Sequence, residues 1–394
     1  MPFHSMATFG SNLKADPSYA TPHPLRVAHL CAGNLYGGVE TFLETWVSHE
    51  RAAGLESRFL IGWDGRHAEQ LRKLGAPVEL VGGARLSRPW QVLGVRRRIQ
   101  ESLALNRPDV VVVHSGWTQW VMGPPARALG IPLVLWVHNE LPSRSVLHQF
   151  ARRVRPSGIL ANSQFTANTV PAWYGLQPTV IYCPVAAPAP PPDGCRSHLR
   201  STLTTPADAF VLLQASRLQE WKGHRNGLRA LGRLRDRKEW IWWIAGGVQR
   251  PEEAAYQASL VREAESLGIT DRIRWLGHRT DVAHLLNACD AYLQVNVTPE
   301  PFGVSFMESL YAARPVVTAD AGGIAEVVTP SCGTRVVAGD DAQLASVLAQ
   351  WMSDRSKVQT LGAAGPEVAR LVCDPQRQIK RIAEELRRIH TTVR

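Results

Sequence analysis

The apolar residues of this chain gather in short, unbroken runs separated by longer stretches of mixed polarity. In the first half the runs are "LRVAHLCAG" from residue 25, "SRFLIGW", "PDVVVVHSG", "IPLVLWVHNE", "SGILANS" and "PTVIYCPV". Between them lie "GGVETFLETWVSHERAAG", closing at Gly54, then "PWQVLGVRRRIQESLALN" and "TQWVMGPPARALG", which read as helices. Val, Ile and Leu runs alternating with helices predict parallel strands covered on both faces. The pattern pauses at "AAPAPPPDG", which reads as a linker over 186–194. It then resumes with "AFVLLQASR", "KEWIWWIAGG", "RIRWLGH", "AYLQVNV" and "RPVVTAD".

Two doubly wound α/β domains follow from this pattern, over 25–185 and 195–374. The 394 residues are too many for one ordinary core and agree with two. Ligands of such domains bind at the carboxyl ends of the strands, so two facing domains would form a cleft. The last helix, "DPQRQIKRIAEELRRIH" within 375–394, shares the basic character of the first domain and is expected to pack back on it. Residues 1–24, with their Pro, Ser and Thr, read as a loose leader without the pattern of a secretory signal.

Composition narrows the class. Hydrophobic residues make up 45% and charged residues 20%, as in globular proteins. No apolar run approaches the ~18 to 20 residues of a membrane-spanning helix. The six cysteines form no CxxC pair, which predicts reduced thiols in a cytoplasmic protein. The net charge of +10 is uneven. Residues 1–190 hold 18 Lys and Arg against 11 Asp and Glu, 191–374 hold 20 against 21, and 375–394 hold 6 against 2. The two flanks are basic, so anionic partners are expected there: phosphates, acidic headgroups or nucleic acid.

Three stretches carry candidate chemistry. Gly37-Gly38 lie between the first strand and the first helix, where backbone amides and the helix dipole suit an anion. The spacing is not GxGxxG, so no dinucleotide fingerprint is present, and tight-turn packing alone also explains the pair. Arg217 and Lys222 follow the first strand of the second domain, where a guanidinium and an ammonium would grip phosphate oxygens. Surface ion pairs are the plain alternative. The stretch "PEPFGVSFMESL" holds Glu300 in a loop and Glu308 about a turn and a half into a helix. Gly303 opens that helix. Carboxylates accept paired hydrogen bonds from vicinal diols, and a buried Glu308 needs such a partner.

With these residues in view, the run from "RLQEWKG" through "RIRWLGHRTDVAHLLNACDAYLQVNVTPEPFGVSFMESLYAARPVVTADAGGIAEVV" resembles glycosyltransferase family 4. These are the retaining GT-B enzymes also called glycosyl transferases group 1. The family's E-x7-E motif is Glu300 to Glu308, followed by Pro315-Val316-Val317, Gly322-Gly323 and Glu326. The resemblance covers about 25 to 390 and is most specific in 210–330. It implies a GT-B fold and a nucleotide-sugar donor. Arg217 and Lys222 would bind the diphosphate, faced by amides at Gly38. Glu300 would hold the sugar, Phe302, Gly303 and Val304 would offer amides, and Glu308 would bind the ribose. Gly277 and His278 would border the base, and His138 would contact the sugar near the reacting carbon. Two departures, "GGVQRPEE" for a glycine-rich turn and "AAR" before "PVV", leave base and sugar preference open.

No D-x-D motif occurs, and no His/Cys/Asp spacing suggests zinc, so no metal and no other cofactor is expected. The resemblance implies a retaining hexosyltransferase, with a UDP-sugar favoured and a glycan or lipid-linked acceptor. "SVLHQFARRVR" would set Val146, Phe150 and Val154 along one helix face beside arginines, as a helix resting on an anionic membrane surface does. An ordinary helix covering the sheet is the simpler reading. A nucleotide-sugar epimerase or a phosphorylase-like enzyme is the alternative within the fold. Charge alone raises nucleic-acid binding, but no reading module accompanies it, so no nucleic acid is expected as partner.

Overall fold

The computed structural model describes residues 23–34, 36–142 and 144–393. The leader read over 1–24 lies outside the described residues except for its last two. The first sheet contains β1 (Leu25–Cys31), β2 (Leu55–Ile61), β3 (Val78–Leu80), β4 (Val110–Val113), β5 (Leu133–Val137), β6 (Gly158–Ala161) and β7 (Thr179–Val180). All its pairings are parallel, in the order β3-β2-β1-β4-β5-β6-β7. The second sheet contains β8 (Phe210–Ala215), β9 (Trp240–Ala245), β10 (Ile273–Gly277), β11 (Ala291–Gln294), β12 (Val316–Ala319) and β13 (Gly333–Val336). It too is parallel, in the order β10-β9-β8-β11-β12-β13.

Both sheets are doubly wound, and the apolar runs explain why. Strand residues alternate between faces, and helices cover both, so most positions of the central strands are apolar. β9 shows this directly. Trp240 and Trp242 are buried in one core cluster, with Leu228 and Leu260. Ile241 and Trp243 are buried in another on the opposite face. The strand order reverses between β1 and β4 and between β8 and β11, so the loops leaving these strands open a crevice in each domain.

The helix Pro375–Val393 lies against the first domain. Its Ile379, Ile382, Leu386 and Ile389 are buried. Arg387 donates to the carbonyls of Ala53 and Gly54 at 3.0 and 2.8 Å, and Arg381 donates to that of Val180 at 3.1 Å. The stretch around Val146 differs from the expected amphipathic helix. The helix is short, Val146–Ala151, with Ser145 as its cap. The chain turns away after it, so Val154 is buried in the core while Val146 stays 75% exposed. The three residues therefore share no single face.

Candidate functional site

The crevices of the two domains face each other across a cleft of about 320 Å³. On the first domain's side, β1 leads to Gly37-Gly38 and the helix Gly38–His49. The Glu40 carboxylate turns back and accepts from the Gly37 amide at 2.8 Å. Burial raises the Glu40 pKa, against the pull of backbone amides and of Arg217 opposite. Gly38 and Val39 belong to the first turn, whose amides have no intrahelical partner, and both line the cleft.

The second domain answers with a second helix N-terminus. Gly303, at φ 84°, caps the helix Val304–Tyr311, and Phe302, Gly303 and Val304 line the cleft. The helix ends nearly touch, since a Cβ at Gly38 would lie 3.5 Å from Val304. Two positive helix ends thus converge on one volume. Arg217 follows β8, lines the same cleft and has no ion-pair partner among the described residues. Lys222 ends a short 3-10 turn, Glu220–Lys222. Its Nζ lies 2.7 Å from Glu300 Oε2 and 3.8 Å from the centre of the Trp221 ring. Burial pushes the Lys222 pKa down, and the neighbouring Glu300 carboxylate pushes it back up.

Glu300 is buried and its position is fixed from several sides. Oε2 also accepts from Asn296 Nδ2 at 2.6 Å. Oε1 has no protein partner among the described residues, which leaves an acceptor for a ligand hydroxyl. The Glu300 backbone lies directly on Gly322, at φ 85°, where an added Cβ would come within 2.2 Å of the Glu300 carbonyl oxygen. Next to it, the Gly323 amide donates to that carbonyl at 2.7 Å. The "GG" after "PVV" is therefore the platform on which Glu300 rests.

Glu308 lines the cleft, half-buried, with no hydrogen-bond partner among the described residues. Burial pushes its pKa up to about 7. His138 lies just past β5, buried, with its carbonyl held by Asn162 Nδ2 at 2.9 Å. Of the twelve expected site residues, ten line this cleft: Gly37, Gly38, His138, Arg217, Lys222, Glu300, Phe302, Gly303, Val304 and Glu308. Gly277 and His278 do not. Gly277 ends β10, an edge strand two strands away from β8 at the crevice, and His278 follows it. His278 instead meets Arg66 of the first domain, Nη1 to Nε2 at 3.1 Å.

Residues that the motifs did not single out support the site: Trp221 under Lys222 and Asn162 beside His138 line the cleft, and Asn296 holds Glu300 from behind it. Asn296 stands in the already quoted "AYLQVNV", and its polar side chain inside an apolar run was the available signal. Among the described residues, no three His, Cys, Asp or Glu side chains gather as a metal site would require.

The glycosyl transferases group 1 profile matches residues 196–368, and the Glycosyltransferase Family 4 profile matches residues 36–187. The chain belongs to this glycosyltransferase family. LpsD, a lipopolysaccharide core biosynthesis glycosyltransferase of Rhizobium meliloti, is 26% identical over 88% of this chain and 93% of its own length. The glycogen synthase of Mycobacterium tuberculosis is 30% identical over 61% of this chain and 60% of its own. The structure of HepE from Anabaena, solved with UDP-glucose, superimposes with a TM-score of 0.81 at 24% identity, over 92% of this chain and all of that one. The fold is GT-B, and the chain is a glycosyltransferase.

Proposed function

We propose that this glycosyltransferase transfers a hexose from UDP to a hydroxyl of a glycan or lipid-linked acceptor, with retention and without a metal. One observation carries the reading. Arg217, the Lys222–Glu300 pair and two helix N-termini converge on one cleft, and Glu308 offers its carboxylate beside them. Breaking the sugar–phosphate bond leaves negative charge on the departing diphosphate. Fixed cations and amides aimed at that charge lower the barrier most. The sugar–oxygen bond to phosphate breaks, the acceptor oxygen bonds the same carbon from the same face, and its proton passes to the departing phosphate. Glu300 Oε1 and His138 orient the sugar, and Glu308 holds the ribose diol.

HepE's complex with UDP-glucose makes that donor the first to test, and LpsD's role in lipopolysaccharide core biosynthesis supports a lipid-linked saccharide as acceptor. Such an acceptor fits a cytoplasmic enzyme held peripherally at an anionic membrane face. A panel of nucleotide sugars, read by thermal shift and by donor hydrolysis, tests the reading. UDP-glucose or another UDP-hexose should stabilise the protein and be slowly hydrolysed. Conversion of the donor to its epimer, or exchange with inorganic phosphate, would instead identify an epimerase or a phosphorylase. No stabilisation by any nucleotide sugar would end the reading.

A further inference from the structure

His138 is the cleft end of a line of three buried histidines. Its Nε2 lies 3.0 Å from Nδ1 of His114, and Nε2 of His114 lies 3.0 Å from Nδ1 of His29. The topology builds the line. His29 is in β1, His114 follows β4 and His138 follows β5, and these strands are neighbours in the sheet. Aromatic rings enclose the line. Phe59 stacks on His29 at 4.8 Å, Trp46 meets His29 edge-on at 4.7 Å, and Trp136 stacks on His138 at 5.7 Å. Burial pushes His29 and His138 down to about 3 and His114 well below its ordinary value, so all three rings are neutral. Among the described residues, His67, buried nearby, has no hydrogen-bond partner on either ring nitrogen and so does not join the line.

Three neutral imidazoles carry three N–H protons, and each of the two contacts uses one. The third sits at one end. It can rest on His29 Nε2, which is buried with no partner among the described residues, or on His138 Nδ1 at the cleft. A buried N–H with no acceptor costs more than a bare ring nitrogen at the same place. We infer that His29 and His114 are positioning residues that set His138 in its Nδ1–H tautomer, so that it donates a hydrogen bond into the cleft. Each contact then runs Nδ1–H to Nε2, from His29 to His114 and from His114 to His138. Which ring nitrogen carries the proton is set by what the other one meets. The role for the donated hydrogen bond, toward an oxygen of the bound sugar, rests on the function proposed above.

Long-range proton–nitrogen correlation spectra of the full chain, labelled with nitrogen-15 histidine and assigned with single His→Gln variants, read the tautomers directly. All three rings should be protonated at Nδ1, the less common tautomer of free imidazole side chains. Protonation of all three at Nε2 would overturn the inference, and so would a mixture at His138. These spectra need no turnover, so they stand or fall separately from the transferase reading. If turnover of UDP-glucose is found, His114→Phe should lower kcat about 10- to 100-fold with KM for the donor within about twofold. An unchanged kcat with the His138 signals also unchanged would remove His114 from the role.

Discussion

At the scale of single residues, the cleft gathers its chemistry from few side chains, and two predictions follow from their surroundings. Among the described residues Arg217 has no ion-pair partner, and Lys222 is held at the cleft between Glu300 and the Trp221 ring, so both cations stand where a departing diphosphate would meet them. Arg217→Ala and Lys222→Ala should each lower kcat by about 10²- to 10³-fold, roughly 3 to 4 kcal/mol of lost transition-state stabilisation. Single-turnover measurement of either variant at the wild-type rate would remove the clamp. Glu308 gives a pH dependence. Its folded pKa, about 7, lies above the ordinary 4.5, so the folded state holds this proton more tightly than the unfolded chain. The stability it contributes is complete below about pH 4.5 and is lost as pH rises through 7. Glu308→Gln should flatten the fall in Tm between about pH 5 and pH 8 and weaken UDP binding about tenfold. Equal slopes for the two proteins would contradict this. The sequence showed Glu300 and Glu308 because carboxylates are conspicuous among apolar neighbours. It could not show that His29, His114 and His138 touch. They lie 85 and 24 residues apart, and only the strand order joins them.

At the scale of elements, the central strands and the edge strands β7 and β10 were legible, and the edge strands β3 and β13 were not. β4 is four valines and β9 is "WIWWIA", both covered on two faces, so their runs stand out. β3, "VEL", and β13, "GTRV", escape notice because each is an edge strand with polar residues facing out. The short helix at Val146 was misread for a related reason, since apolar spacing does not reveal where a chain turns. Gly322 offers a test of how one element supports the site. Alanine there would need both a strained φ and a Cβ 2.2 Å from the Glu300 carbonyl. Gly75 shares the positive φ, at 79°, but has open space around it. Gly75→Ala should cost about 1 kcal/mol, and Gly322→Ala about 3 kcal/mol together with most of the activity, because the loop carrying Glu300 must move. Equal losses in thermal unfolding and in turnover would show that the Gly322 contact does not hold Glu300.

At the scale of the whole molecule, the two domains are clasped beside the cleft, where Tyr182 stacks on Phe302. Glu326 of the second domain accepts from the backbone amides of Gln164 and Phe165 at 3.0 and 2.7 Å and from the Tyr182 hydroxyl at 2.9 Å. The basic charge, by contrast, belongs to the first domain and the terminal helix. There it accompanies exposed apolar side chains. Trp90 and Leu93, on the helix Pro89–Leu105, are 66% and 64% exposed. Arg96 of that helix lies over Trp120, the Trp120 ring meets Phe150 at a tilt with centres 5.4 Å apart, and Arg153 lies over Phe150. Two short helical surfaces are thereby joined into one face of aromatic rings and arginines, although no single amphipathic helix spans it. No helix among the described residues is long and apolar enough to cross a membrane, and the peripheral membrane contact proposed above would use such a surface. Rings at headgroup depth and arginines near anionic phosphates each add to binding, the arginines by about 1 kcal/mol apiece. Vesicles containing acidic lipid should therefore retain the protein in a flotation assay at low salt and release it as salt rises. Trp90→Ser combined with Arg152→Glu and Arg153→Glu should abolish retention while leaving hydrolysis of a soluble donor unchanged, because none of the three lines the cleft. Equal flotation with neutral and acidic vesicles would mean that the arginines add nothing to binding, and flotation with neither would remove the membrane contact.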